Sequence, residues 1–336
     1  MEVFAPSNHT KLINLAIMLG SGNEIIESRL LNHDYPIKNL ALRIPVPGFN
    51  IKIKNPAAVP DCGYSSAGKN SVLFIEVKGG GTDDNQLDRF QHVQDNPKTL
   101  LATRNNLDIT EKDLKIDFAI LGTELNKLRE DHERNSIGFP ILYYDQEAKQ
   151  VRRENFNSTN FKNSEFDAIF SNPINVPKLP IIFLPFGASD FESSFGYVLQ
   201  NILLLIIENN LSQKKYGRMP SLEQMIIERF PILKMMGDQE FQELVKVIEK
   251  SLKKVFPDTN STGYNPRKYL SIKKGKVYVK RTTLKKFLDK INSELSDLET
   301  RTRQTTLESY TSSESNNEII FGVNISQFFE NIDADL

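Results

Sequence analysis

The chain has 336 residues, of which 39% are hydrophobic and 25% charged, with a formal net charge of −1, so it is long enough for two folded domains and is neither a disordered nor a fibrous sequence. A single cysteine, Cys62, excludes a disulfide framework and fits a reducing cytosol, and with only four histidines a structural zinc site is not expected. No apolar run approaches the roughly eighteen residues of a membrane span, and no basic start followed by an apolar block marks a secretory signal, so a cytoplasmic location is expected.

The near-neutral total hides an uneven distribution. Residues 212–292 hold 19 Lys/Arg against 8 Asp/Glu, an excess of +11, and the remainder holds 23 against 35, or −12. A basic block beside an acidic one is the pattern of a module that meets a polyanion.

In chain order, Leu12, Leu15, Ala16, Met18 and Leu19, then Ile25, Ile26, Leu30 and Leu31, predict a helix over residues 11–32, interrupted at Gly20-Ser21-Gly22. Asn23 is placed to cap its second piece, with Glu24 and Glu27 in the first turn. Residues 41–53 alternate weakly around Pro45, Pro47 and Gly48 and predict a bent or edge strand. Asp61 follows at a Pro-Asp step, and residues 62–70 are turn-rich. The β-branched run at 71–78 predicts a buried strand, ended by Gly79-Gly80-Gly81. Thr82-Asp83-Asp84 supply caps for a helix to about Gln94, with Asp83 or Asp84 suited to the positive end of its dipole. Further strands are expected at 114–122, 139–144 and 179–186, and a buried helix at 195–208. Interleaved strands and helices favour a mixed α/β core.

A boundary is expected at 209–218, where polar residues and glycine break the pattern. Beyond it, 221–234 and 239–256 have helical apolar spacing, with Ser221 and Gln224 placed to form a capping box. Residues 269–272 and 277–280 read as a hairpin with the basic tip Lys273-Lys274-Gly275-Lys276, and 282–298 as a final amphipathic helix. This order of helices, hairpin and helix resembles a winged-helix arrangement. Residues 299–336, rich in Ser, Thr, Asn and Glu, read as a flexible acidic tail. The expected division is a first domain at 1–211, a mostly helical basic domain at 212–298 and the tail at 299–336.

The chemistry concentrates in the 71–78 strand. Alternation puts Glu76 and Lys78 on one face. Asp61 lies fifteen residues before Glu76, enough for one turn and the incoming strand of a hairpin. Two carboxylates and a lysine on one sheet edge suit a Mg²⁺-dependent phosphodiesterase: oxygen ligands hold a hard cation that keeps part of its water shell, and the amine orients or deprotonates the attacking water. An acid two residues before a lysine recurs at Glu147-Ala148-Lys149 and Asp113-Leu114-Lys115, but in polar surroundings; only Glu76/Lys78 interrupts an apolar run. Asp117, inside the 114–122 strand, is either a further active-site carboxylate or a residue at a strand edge or end.

With Pro60-Asp61 and Glu76-Val77-Lys78 as signature, residues 20–125 resemble the PD-(D/E)xK nuclease superfamily, which includes restriction endonucleases, Holliday-junction resolvases and recombination exonucleases. The resemblance implies an α/β, restriction-endonuclease-like fold, a mixed central sheet flanked by helices, and metal-dependent hydrolysis of a DNA phosphodiester. It implies Asp61 and Glu76 as ligands of Mg²⁺, with Mn²⁺ as an alternative, and Lys78 as the group that positions the water and offsets charge on the pentacovalent phosphate. A glutamate on the preceding helix is implied as well, at Glu24 or Glu27, and a glutamine on the following one. There Gln86-Leu87-Asp88-Arg89-Phe90 is close to the Gln-x-x-x-Tyr pattern, with Phe90 in place of the tyrosine.

Phosphate contacts are expected from the basic block, at Lys214, Lys215, Arg218, Arg267, Lys268, Lys273, Lys274, Lys276, Lys280 and Arg281, with Tyr264, Tyr269 and Tyr278 among them. In the tail, residues 304–311 resemble the sliding-clamp interaction box, with Gln304, Leu307 and Tyr310 at its anchor positions and Thr311 where a second aromatic belongs. These features fit first a type II restriction endonuclease, a homodimer if it cuts both strands. They fit second a repair or recombination nuclease for branched DNA, tethered to a clamp, and third a DNA-binding protein with an inactive nuclease core. The intact Asp61, Glu76 and Lys78 set speaks against the third, because a retired site has no physical reason to keep buried charges.

Overall fold

The computed structural model describes residues 8–22, 26–47, 56–79, 84–103, 107–135, 138–154, 159–177, 221–255, 270–273 and 276–279. The elements expected at 179–186, 195–208 and 282–298, and the tail at 299–336, lie outside them. The chain divides into two compact units, one made of Pro6–Asp190 with Phe230–Val245, the other of Met1–Ala5, Phe191–Arg229 and Lys246–Leu336.

In the first unit, helix α1 (Asn8–Leu19) leads to a single helical turn, α2 (Arg29–Asn32), and to strand β1 (Ile37–Leu40). Two short strands, β2 (Ile44–Pro45) and β3 (Ala57–Ala58), pair with each other. The hairpin of β4 (Cys62–Ser66) and β5 (Ser71–Lys78) follows, then α3 (Asp84–Asp95), α4 (Lys98–Leu101) and β6 (Lys115–Gly122). The series closes with α5 (Leu125–Asn135), β7 (Ile141–Asp145), β8 (Gln150–Glu154), α6 (Ser164–Ile169) and β9 (Ile174–Asn175). Seven strands form one mixed sheet in the order β1-β4-β5-β6-β7-β8-β9, with β5, β6 and β7 parallel and the flanking pairs antiparallel. Parallel neighbours need a crossover, which α3 and α4 supply before β6 and α5 before β7.

The sheet is covered on both sides at its centre, which is why β5 reads as a near-continuous apolar run rather than an alternating one. On one face, Val72 and Phe74 of β5 and Ile116, Phe118 and Ile120 of β6 pack with Leu87, Phe90 and Val93 of α3, and Phe90 stacks on Phe118 with centroids 4.8 Å apart. On the other face, Tyr64, paired with Leu73, sends its hydroxyl to the Ala16 carbonyl of α1 at 2.6 Å. Each large apolar side chain buried here contributes roughly 1.5–3 kcal/mol relative to exposure. A charge in these two strands is therefore costly unless something compensates it.

The segment at 62–70, turn-like by composition, is strand as far as Ser66, and all five residues of β4 are buried. Its polar members are satisfied: the Ser65 hydroxyl donates to the Leu107 carbonyl at 2.7 Å and that of Ser66 to Asp34 Oδ2 at 2.8 Å. The turn is confined to residues 67–70. Upstream, α1 stops at Leu19 and α2 spans only Arg29–Asn32, so the expected helix at 11–32 is two separate pieces, with Asn23 and Glu24 outside the described residues. Of the strand expected at 41–53, only Ile44–Pro45 is strand among the described residues. Elements α5, β8, α6 and β9 carried no clear periodic signal. Strand β8, Gln-Val-Arg-Arg-Glu, has one apolar residue, and α6 is six residues long, held by an Asn163 cap that accepts from the Glu165 amide at 3.2 Å.

Residues 230–245 return to the first unit and cover the outer edge of β1, where Met236 bridges Leu40 and the Gly237 amide donates to the Leu40 carbonyl at 3.2 Å. This part of the chain also holds α7 (Leu222–Arg229), α8 (Asp238–Val255) and an antiparallel hairpin of β10 (Leu270–Lys273) and β11 (Lys276–Val279). The capping box forms as expected: the Gln224 amide donates to Ser221 Oγ at 3.2 Å and the Ser221 amide to Gln224 Oε1 at 2.9 Å. Among the described residues no helix is long and apolar enough to cross a membrane.

Candidate active site

At its C-terminal end β5 continues the α3-facing register of Val72 and Phe74 with Glu76 and Lys78. Lys78 Nζ stands 2.7 Å from Glu76 Oε1. Gln86, in the first turn of α3, closes a triangle with them: its Nε2 donates to Glu76 Oε1 at 2.8 Å, and its Oε1 accepts from Lys78 Nζ at 2.7 Å. An ammonium can only donate, so Lys78 fixes which way the amide faces. Burial of Leu87, Phe90 and Val93 in the core holds α3 in the rotation that turns Gln86 to the strand.

Asp61 arrives through the hairpin register. Cys62 pairs with Ile75, so the residue before β4 comes level with Glu76. Asp61 Oδ2 accepts the Val77 amide at 2.7 Å, which fastens this carboxylate to the strand carrying the other two groups.

Glu76 is 4% exposed, and its second oxygen, Oε2, is buried without a hydrogen-bond partner. Burial, and then the neighbouring Asp61 charge, push the Glu76 carboxyl up to about 8, against the pull of Lys78 and His9. Oε1 already accepts two bonds, so a proton on Glu76 belongs on Oε2. A carboxyl in this state can exchange its proton for a cation.

The preceding helix contributes a residue that sequence reasoning missed. His9, at the start of α1, places Nε2 3.9 Å from Asp61 Oδ2. Gly79 permits this approach: a Cβ there would stand 3.2 Å from His9 Cβ and 3.3 Å from its backbone nitrogen. His9 lies 52 residues before Asp61 with no motif around it, and only the packing of α1 on the sheet brings the two together. Of the two glutamates considered for that helix, Glu24 is outside the described residues, and Glu27 is paired with Arg29 at 2.6 Å. Among the described residues no three His, Cys, Asp or Glu side chains gather closely enough to cage a metal ion. Asp61 and Glu76, with the unpartnered Glu76 Oε2, fit a cation such as Mg²⁺ that takes one or two carboxylates and fills its remaining positions from water and substrate.

Asp117 belongs elsewhere. It lies in β6, the fourth of the seven strands, so it is at no edge, and its register partner Leu73 puts it on the face opposite to Glu76. Both its oxygens accept backbone amides, from Lys162 at 2.6 Å and Asn163 at 3.0 Å. It is a structural residue, not a further member of this cluster. Cys62 is fully buried and burial pushes its thiol up, which suits packing rather than nucleophilic attack.

Of the basic residues, only Lys273 and Lys276 lie in described strands, where the hairpin register sets them directly opposite each other. Lys214, Lys215, Arg218, Arg267, Lys268, Lys274, Lys280 and Arg281 are outside the described residues, as are Gln304, Leu307 and Tyr310 of the clamp-like segment.

Residues 8–184, a little over half of the chain, match the model of the MJECL32 domain, and the chain belongs to that family. The match spans α1 through β9, and so includes His9, Asp61, Glu76, Lys78 and Gln86. No curated protein and no solved structure matches the chain.

Proposed function

We propose that this chain is a Mg²⁺-dependent DNA endonuclease of the PD-(D/E)xK type, acting through Asp61, Glu76 and Lys78. The observation that carries the reading is the buried Glu76 carboxyl, raised to about 8, with Oε2 unpartnered and Oε1 2.7 Å from Lys78. A buried carboxylate oxygen with no donor is unfavourable in the folded chain, and a bound cation would relieve it. In this reading the mixed sheet with helices on both faces is a restriction-endonuclease-like core, and α7 and the β10–β11 hairpin belong to a winged-helix-like DNA reader.

Mg²⁺, once bound, supplies Lewis-acid stabilisation of the phosphoryl oxygens and a more acidic water. Asp61, anchored by the Val77 amide, and Glu76 hold it. Lys78 shares their strand face, orients the attacking water and offsets charge developing on the phosphate. Gln86 limits where the Lys78 amine can swing, since it already accepts one of its protons. Lys273 and Lys276, which the hairpin register sets opposite each other, are among the residues proposed to contact the phosphate backbone.

The test is incubation of the full chain with plasmid, linear duplex and four-way-junction DNA, in Mg²⁺ or EDTA, with sequencing of the fragment ends. Cleavage that needs Mg²⁺ and yields defined ends on linear duplex supports a type II restriction enzyme. Ends confined to the junction indicate a structure-specific repair nuclease. Cleavage of none of the three, or equal cleavage by Lys78→Ala, rejects the catalytic assignment.

A further inference from the structure

The second residue of interest on α3 is Arg89, one turn beyond Gln86. It is partly buried, its Nε is fully buried without a hydrogen-bond partner, and it makes no hydrogen bond or ion pair among the described residues. Two other arginines provide a contrast. Arg129 and Arg153 also have a buried, unpartnered Nε, but a carboxylate holds the end of each guanidinium: Glu154 at 2.7 Å from Arg129 and Asp167 at 2.6 Å from Arg153. Arg153 is bonded in addition to the Thr159 carbonyl at 3.0 Å and to Asn160 Oδ1 at 2.9 Å. Arg89 has the burial without the acceptors.

A partly desolvated guanidinium with no acceptor is unfavourable by itself. Only the Nε is withdrawn from water, because Phe90 and Val93 beside Arg89 hold its helix against the core, while the planar end of the guanidinium, not among the buried unpartnered atoms, still reaches solvent. Residues three apart on a helix are neighbours, with Cβ atoms about 5–6 Å apart. The Cα–Cβ bond also tilts toward the helix N-terminus, so the Arg89 side chain leans back over the turn that carries Gln86. Gln86 is bonded to both Glu76 and Lys78. Arg89 thus sits one turn along α3 from the glutamine bonded to the cluster, on a helix whose N-terminal end also favours an anion.

We propose that Arg89 binds a phosphate of the DNA strand held at the Asp61–Glu76–Lys78 cluster, presenting its planar fork to two phosphate oxygens. The proposal rests on the nuclease reading above and adds to it the contact that sets the strand in place. Two acceptor oxygens match the guanidinium bidentately, which a lysine at this position cannot reproduce. The phosphate supplies the acceptor that the folded chain does not.

The experiment uses the full chain and its Arg89→Ala, Arg89→Gln and Arg89→Lys variants, with the DNA that the parent cuts. Single-turnover cleavage is measured in Mg²⁺, and binding in Ca²⁺ between 50 and 200 mM salt. Arg89→Ala is expected to slow cleavage by about thirty-fold and to lower the slope of log affinity against log salt by about one. Arg89→Gln, which keeps the stem packed, lowers the slope equally and guards against an alanine variant that fails to fold. Arg89→Lys keeps the slope but recovers only part of the rate. An unchanged slope in both neutral variants, whatever their rates, means that Arg89 serves packing and overturns the assignment alone. A parent that cuts no DNA overturns the nuclease reading, and this contact with it.

Discussion

Two buried carboxylates occupy neighbouring strands of one sheet, and their surroundings separate a fastener from an acid left incompletely satisfied. Asp117 in β6 gives both oxygens to the main chain, and so ties the turn at residues 162–163, from which α6 starts, to the centre of the sheet. Glu76 in β5, on the opposite face, has one oxygen shared by Lys78 and Gln86 and the other unengaged. Burial raises both, Asp117 to about 6 and Glu76 to about 8; backbone donors pull Asp117 back, while the Asp61 charge drives Glu76 further up. Burial alone therefore does not mark a functional acid. What distinguishes Glu76 is incomplete satisfaction next to a second carboxylate and a lysine.

The comparison breaks most visibly in catalysis. Lys78→Ala is expected to lower single-turnover cleavage by about 10³-fold or more with DNA binding retained, whereas Asp117→Ala leaves the rate per folded molecule unchanged. An Asp117→Ala protein that folds but cuts no DNA would erase the distinction. The next effect is on stability. Asp117→Ala strands two buried amides and should cost about 2–4 kcal/mol in urea unfolding.

A third effect is pH dependence in EDTA. The folded Glu76 carboxyl titrates near 8 and its ordinary value is 4.5, so the folded chain holds a proton that the unfolded chain has released across that interval. Stability from this group is present below pH 4.5 and is lost as pH rises towards 8, by up to about 5 kcal/mol. Asp117 acts with the same sign between 3.8 and 6, so the fall between pH 6 and 8 belongs to Glu76 rather than Asp117. Melting curves of Glu76→Gln should be flatter than the parent's over pH 6–8, and those of Asp117→Asn should keep the parental fall there. The smallest effect is that of Gly79→Ala, whose Cβ meets His9 at 3.2 Å. A stability change of less than about 1 kcal/mol is expected, with a several-fold slower cleavage if displacing His9 disturbs Asp61.

Much of the fold around this pair was legible in the residues. The β-branched run fixed β5, the glycines and acids after it announced α3, and the Ser221 and Gln224 pair marked the start of α7. The periphery was not: among its described side chains α5 buries Leu128 and Asp131, and β8 depends on its neighbours for its strand character. Asp117 was ambiguous because its partners, the amides of Lys162 and Asn163, lie 45 and 46 residues away and carry no side-chain signature. His9 was hidden for the same reason, since its approach to Asp61 is a property of helix packing, not of spacing.

The side chains at the site are carried by different kinds of support. Glu76 and Lys78 are fixed by the pleat of β5, and Asp61 is clipped to it through the Val77 amide, whereas Gln86 and Arg89 ride on a helix inside the crossover from β5 to β6. Lengthening or shortening that crossover by a residue would rotate the helix by about 100° and exchange both of its polar groups at once, while the acids and the lysine stay in register. Diversification is thus channelled: Asp61, Glu76 and Lys78 can be inherited unchanged while the helix-borne groups beside them are reassigned by a single insertion or deletion.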